Sequence, residues 1–176
     1  MAQITLRRKK ILEDSLPRLN AKLEAAQKEV QIALGYGDLK ENAEYETASN
    51  TVRQTYAEIK NIDDILRDAQ VVSDDGGKEI KVGSYIRITE VDKSNKPIGE
   101  PMMLMVDSVD ALFEGSLSLH SPLGKKILGN TSGYYDVVSH CDVLTRYYVE
   151  KLDNSVEPEF EAKYPPNPVL FGDDIE

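Results

Sequence analysis

The chain has 176 residues, of which 40 % are hydrophobic, 30 % charged and 7 % aromatic; this fits one ordinary domain or two small ones and excludes wholesale disorder. No run approaches the roughly 18 apolar residues that a membrane span needs, so no membrane partner is expected. Lys and Arg number 21 against 31 Asp and Glu, a net charge of −10, the wrong sign for a protein that grips duplex DNA through its phosphates.

The N-terminus carries Arg7-Arg8-Lys9-Lys10 with no apolar stretch behind it, unlike a secretory signal. The one cysteine, Cys141, cannot form an internal disulfide, and a cytoplasmic protein is expected. Leu12, Leu16, Leu19, Leu23, Ala26, Val30 and Ala33 then recur at alternating spacings of 4 and 3. Tyr45, Ala48, Val52, Thr55, Ile59, Ile62, Leu66 and Ala69 repeat the pattern at 3 and 4. Each run is the apolar seam of a helix facing a partner, and two such runs joined by a short break predict an antiparallel helical hairpin. Ser15, just before Leu16-Pro17, is expected to cap a restart of the first helix, because a proline would otherwise kink it.

The break reads Gly35-Tyr36-Gly37-Asp38-Leu39-Lys40-Glu41-Asn42-Ala43-Glu44-Tyr45. Its glycines allow the positive φ that ends a helix and reverses the chain. Asp38 and Glu41 admit two readings at this point. They suit the N-cap and third position of a capping box, or they form an acidic pair at the tip of an arm. Two carboxylates are a weak Mg²⁺ site alone and make chemical sense only in completing a site on another molecule.

Beyond Gly76-Gly77, taken as the boundary between arm and body, the period changes from seven to two. Ile86 and Ile88, Leu104 and Val106, and Leu117 and Leu119 alternate with other residues as half-buried strands do. Asp92 to Gly99 reads as a hairpin loop. Ser121 as N-cap, Pro122 at the first helical position and Gly129 past the end mark one short helix. His120 and His140 lack partners at ligand spacing, so no zinc site is expected, and Cys141 is read as a packing residue. Residues 151–176 hold 2 basic and 7 acidic side chains, half the net charge, with four prolines, and are expected to be an extended or disordered acidic tail.

The stretch Gly37-Asp38-Leu39-Lys40-Glu41-Asn42-Ala43-Glu44-Tyr45 resembles the tip motif of the GreA/GreB transcript-cleavage factors of bacterial RNA polymerase. Ser121-Pro122-Leu123-Gly124-Lys125-Lys126-Ile127-Leu128-Gly129, followed by Tyr134 to Val138, resembles the helix and strand of the C-terminal domain in that family. The resemblance covers roughly residues 4–150. It implies an α+β chain with an antiparallel coiled-coil hairpin over 1–76 and an FKBP-like antiparallel β domain with one short helix over 77–150; the acidic tail over 151–176 lies outside it. It further implies that the β domain docks on the polymerase through Ser121, Pro122, Leu123 and Gly129, while the arm enters the secondary channel. There Asp38 and Glu41 would share the second catalytic Mg²⁺ with the polymerase, the chain holding no cofactor of its own. Gly37, Asn42, Glu44 and Tyr45 would shape the tip. The chain would act as a monomer that activates the polymerase's own nuclease, not as an enzyme.

Family members often carry arginines near the tip to hold the extruded RNA 3′ end. Here Ala33-Leu34-Gly35-Tyr36 precedes the tip and Glu46-Thr47-Ala48-Ser49-Asn50 follows it, with Lys40 in the loop and no other cation until Arg53. A weakened hold on the RNA is expected. Two other readings stand beside cleavage: a Gre-fold paralogue that occupies the channel without cleaving, and a coiled-coil adaptor with no polymerase partner.

Overall fold

A computed structural model describes residues 3–36, 43–107, 115–138 and 142–166. They fall in two compact units, the first formed by 9–69 and the second by 3–8 together with 70–166.

The first unit is the expected hairpin. Helix α1 spans Leu6–Leu34, its first residues lying in the second unit, and α2 spans Ala43–Asp68. At 1.5 Å per residue they are about 44 and about 39 Å long. Leu12, Leu19, Ala26 and Ala33 of α1 are buried, as are Ala48, Thr55 and Ile62 of α2. The alternate seam positions, including Leu16, Leu23, Val52, Ile59 and Leu66, are half-buried. Leu12 and Leu19 share a cluster with Ile62, so the start of α1 meets the end of α2 and the helices run antiparallel. One expectation fails here. Pro17 lies inside an unbroken α1, so the helix has no restart at Leu16 for Ser15 to cap. Its hydroxyl points back along the helix and donates to the Ile11 carbonyl at 2.7 Å, the local bond that serine makes within helices.

The second unit is built on a five-stranded sheet ordered β5-β4-β3-β7-β6. These strands are β3 (Tyr85–Val91), β4 (Met102–Asp107), β5 (Ser116–Ser118), β6 (Gly133–Val138) and β7 (Leu144–Lys151). All pairs are antiparallel except β4 with β5, which makes the sheet mixed where a purely antiparallel one was expected. Alternating burial looks the same in either strand direction, so the pattern carried no sign of this. A second, two-stranded parallel sheet joins β1 (Gln3–Thr5) to β2 (Gln70–Val72). Residues 3–5, read from sequence as part of the arm, are therefore strand.

Ile86, Leu104, Val106, Val137 and Val149 cover one face of the large sheet and are closed off by Ile80 and by Leu123 and Ile127 of helix α3 (Pro122–Ile127). Gly124 lets that helix sit close: a Cβ there would stand 2.1 Å from the Ser118 carbonyl oxygen. On the opposite face Tyr85, Met103 and Met105 pack against Phe160 of helix α4 (Glu157–Lys163). The expected loose tail is thus ordered over its described part, with a 3-10 turn at Asn154–Val156 leading into α4. Burying one aromatic among two methionines and a tyrosine offsets the cost of ordering a short acidic segment.

The Asp92 loop is the expected hairpin turn: the Asp92 carboxylate accepts from the Ser94 and Lys96 amides at 2.7 and 2.9 Å, and Asn95 has φ +62. Gly76-Gly77, by contrast, lies within the second unit, which begins at Gln70. Lys151, 7 % exposed, ties this loop down by donating to Asp74 at 2.9 Å and to the carbonyls of Gly77 and Glu79.

Tyr85 supplies a pH test of the α4 face. Burial, then the charges of Glu157 and Glu161, push its phenol up to about 12. The folded state therefore holds this proton where the unfolded chain, near pH 10, has released it. The stabilisation is complete below about pH 10 and is lost between about 10 and about 12. Titration followed by phenolate absorbance should show late-ionising phenols, of which Tyr85→Phe removes the one near pH 12 and leaves Tyr135, which burial also raises, with a flatter stability profile above pH 10. A single tyrosine transition near 10 in the native chain would contradict the burial.

Candidate functional site: the hairpin tip

The carboxylates singled out from the sequence, Asp38 and Glu41, lie outside the described residues with Gly37 and Asn42, as does the capping role considered for them. The structure does describe what flanks them. At the end of α1 the Gly35 amide donates to the Ile32 carbonyl at 3.0 Å and the Tyr36 amide to the Ala33 carbonyl at 3.2 Å, which closes the helix with a tight turn. The chain re-enters α2 at Ala43 with Glu44 and Glu46 in its first turn, where negative charge suits the helix dipole. Glu44 is exposed. Tyr45 is half-buried on the seam. The end of α1 and the start of α2 lie side by side, and Asp38 and Glu41 fall between them in the sequence.

Between them opens a cleft of about 400 Å³ lined by Glu29, Ile32, Ala33, Ala43, Glu44, Thr47 and Ala48. Its floor is apolar and its charged rim is acidic. Ile32, Leu34 and Tyr36 are exposed around it, Tyr36 by 70 %. Among the described residues no group of three His, Cys, Asp or Glu side chains could hold a metal ion. Asp38 and Glu41 carry hard carboxylate oxygens, the ligand type that suits Mg²⁺ when a partner supplies the remaining ones.

Of the residues expected to dock a partner, Pro122 and Gly129 are exposed, Ser121 is half-buried and Leu123 is buried. Ser121 caps α3 through its hydroxyl oxygen, which accepts from the Gly124 amide at 3.0 Å while its proton goes to the Ser118 carbonyl at 2.7 Å. Pro122 opens the helix, and Leu123 is buried in the core. Gly129, at φ +75, turns the chain so that its amide reaches the Ile80 carbonyl at 2.9 Å. The side of α3 left exposed carries Lys125, Lys126 and Leu128. His120 is exposed, and its amide donates to the Ser118 hydroxyl at 3.1 Å. His140 and Cys141 lie outside the described residues.

Sequence reasoning missed the charged groups that brace this unit. Arg8 Nε donates to Asp107 Oδ2 at 2.7 Å, with the side chains 3 % and 1 % exposed. Arg7 donates to the Tyr164 carbonyl and lies 5.1 Å from the centre of the Phe160 ring. Burial lowers the Arg7 pKa, and the nearby Glu161 works against that shift. Arg146 grips Asp136 across β6 and β7 at 2.7 and 3.1 Å, which holds that carboxylate below its usual range. Arg7 and Arg8, in the basic run of residues 7–10, carried a hint, but their partners stand 157 and 99 positions away.

The described residues thus form a seamed antiparallel helical hairpin, with Asp38 and Glu41 lying in the sequence between its two helices, and a unit built on a small mixed sheet. A family model for GreA/GreB, described as transcription elongation factor, N-terminal, matches residues 2–71. The chain is 32 % identical over 130 residues to transcription elongation factor GreA of Bacillus licheniformis, covering 71 % of this chain and 79 % of that one. The GreA of Streptococcus sanguinis is 31 % identical over 134 residues, with 74 % and 81 % covered. A GreA of Helicobacter pylori is 38 % identical over 114 residues, with 64 % and 66 % covered. Among solved structures, the GreA factor homolog 1 (Gfh1) of Thermus thermophilus is similar at 22 % identity and a TM-score of 0.40, covering 85 % of this chain and 97 % of that one. The chain belongs to the GreA/GreB family of transcription elongation factors. No helix among its described residues is long and apolar enough to cross a membrane.

Proposed function

We propose that this chain enters the secondary channel of bacterial RNA polymerase and stimulates cleavage of backtracked RNA through Asp38 and Glu41. The observation that carries the reading is the intact Asp38 and Glu41 pair in the sequence between two long helices of a GreA/GreB chain. The arm brings carboxylates to an active site that the polymerase owns, so the chain activates a nuclease in trans and is not itself an enzyme. Asp38 and Glu41 would hold a Mg²⁺ ion jointly with the polymerase; when bound, such an ion polarises phosphoryl oxygens and lowers the pKa of a bound water. The remaining residues position this pair: the apolar seam holds the two helices together and the turn at Gly35-Tyr36 ends α1 just before Asp38. The β domain would supply the grip on the polymerase rim, with α3 braced by Ser121.

The test is RNA cleavage in purified, deliberately backtracked polymerase complexes with Mg²⁺. Asp38→Asn with Glu41→Gln should lower the stimulated rate by at least about tenfold to a hundredfold while competition binding to polymerase persists. The acidic rim of Glu29 and Glu44, the exposed Glu46 in the first turn of α2 and the lack of tip arginines favour one other reading, a factor that fills the channel without cleaving. Binding by the native chain with no cleavage would establish that reading and exclude the first.

A further inference from the structure

The charge around the tip leaves the RNA without an obvious holder. Within the described arm the nearest cations are Lys28 and Arg53, about 12 Å before Tyr36 and about 15 Å after Ala43 along their helices. Lys28 is paired with Glu24 at 2.8 Å, and Arg53 donates to the Asn50 side chain at 2.7 Å. The exposed charges nearer the tip are Glu29, Glu44 and Glu46, which repel phosphate. Lys40 is the one cation in the sequence between Lys28 and Arg53. A nucleic-acid strand brought here must be held by its bases more than by its backbone.

One side chain suits that task. Tyr36 stands two residues beyond α1, its amide tied to the Ala33 carbonyl at 3.2 Å, with a ring that is 70 % exposed. Exposed Ile32 and Leu34 extend the apolar surface beside it. An aromatic ring on a fixed backbone loses little freedom on contact and offers a π-face to any unpaired base.

We infer that Tyr36 holds the extruded RNA by stacking on one of its unpaired bases, taking over the work that phosphate contacts would do. This deepens the proposed function by naming how the same tip recognises single-stranded RNA, and it rests on that reading. Tyr36 is a positioning residue, remote from the bond that breaks. Two consequences follow from stacking. At saturating factor, cleavage should depend little on salt between about 50 and about 200 mM, because each phosphate contact would add about 0.7 to the logarithmic slope. A purine at the stacked position should also be favoured over a pyrimidine.

The experiment uses the full chain with backtracked polymerase complexes whose RNA carries a photoreactive thiouridine near its 3′ end. Tyr36→Ala should reduce cleavage about fivefold to a hundredfold and abolish crosslinking to the factor, with polymerase binding unchanged. Tyr36→Phe should restore both, since the ring alone stacks. Cleavage by Tyr36→Ala at the native rate, or a crosslink that survives the change, would overturn the inference and leave the proposed function standing. A native chain that crosslinks through Tyr36 without cleaving would uphold the RNA contact and remove the cleavage reading instead.

Discussion

Asp107→Ala is expected to destabilise the sheet unit by about 3–5 kcal/mol, enough to lower its melting temperature by at least about 10 °C. Arg8 and Asp107 meet at 2.7 Å with almost no solvent exposure on either side chain. Two charges taken out of water are costly, and their attraction roughly balances that cost only while both are present. Removing Asp107 takes its carboxylate from a guanidinium whose side chain is only 3 % exposed. The pair is thus a poor source of net stability and a severe point of failure. The double variant Arg8→Met with Asp107→Leu, which replaces both charges by apolar groups, should recover most of the loss. Chemical denaturation read by near-ultraviolet circular dichroism of the tyrosines separates the outcomes. A double variant as unstable as Asp107→Ala would show that the burial of charge is not the cause.

That ion pair marks the limit of what local sequence could reveal. The hairpin was legible because its information is periodic: seam residues of both helices, from Leu12 to Leu66, are buried or half-buried where the spacing put them. The cap at Ser121 was legible because donor and acceptor lie three residues apart. The candidate tip was legible as a motif alone, since Asp38 and Glu41 are outside the described residues. Pro17 was misread because a helix held by a tertiary seam tolerates a proline that would break a free one. The β4 and β5 pairing, the β1 and β2 ladder and the Arg8 contact join residues far apart in the chain, and no spacing rule reports on them. The tail was misread for a different reason. Its average composition is that of a disordered segment, but docking depends on single residues, and Phe160 is fully buried.

Phe160→Ala should therefore undo α4 without unfolding the sheet. The ring lies 5.2 Å from Tyr85 at 61° and 5.2 Å from Tyr164 at 50°, with the Arg7 guanidinium 5.1 Å above it. A helix of seven residues has no stability of its own in water, so its order depends on what this ring buries. Truncating a buried phenylalanine costs about 3–5 kcal/mol when the structure must stay in place. Here the structure need not stay: α4 can release, and the loss to the rest of the unit is capped at the free energy of docking. Amide exchange across residues 157–164 should accelerate on the order of a hundredfold to a thousandfold, while the amides of β3 and β7 keep their protection. Released α4 also uncovers Tyr85 and withdraws Glu157 and Glu161, the causes of its raised pKa, so its phenol should titrate nearer to 10 in this variant. Unchanged exchange over 157–164 would mean that Arg7, through the Tyr164 carbonyl, holds the helix by itself. Unchanged exchange with a lowered Tyr85 pKa would separate the two roles of the ring, since burial of the phenol would then depend on Phe160 and attachment of the helix would not.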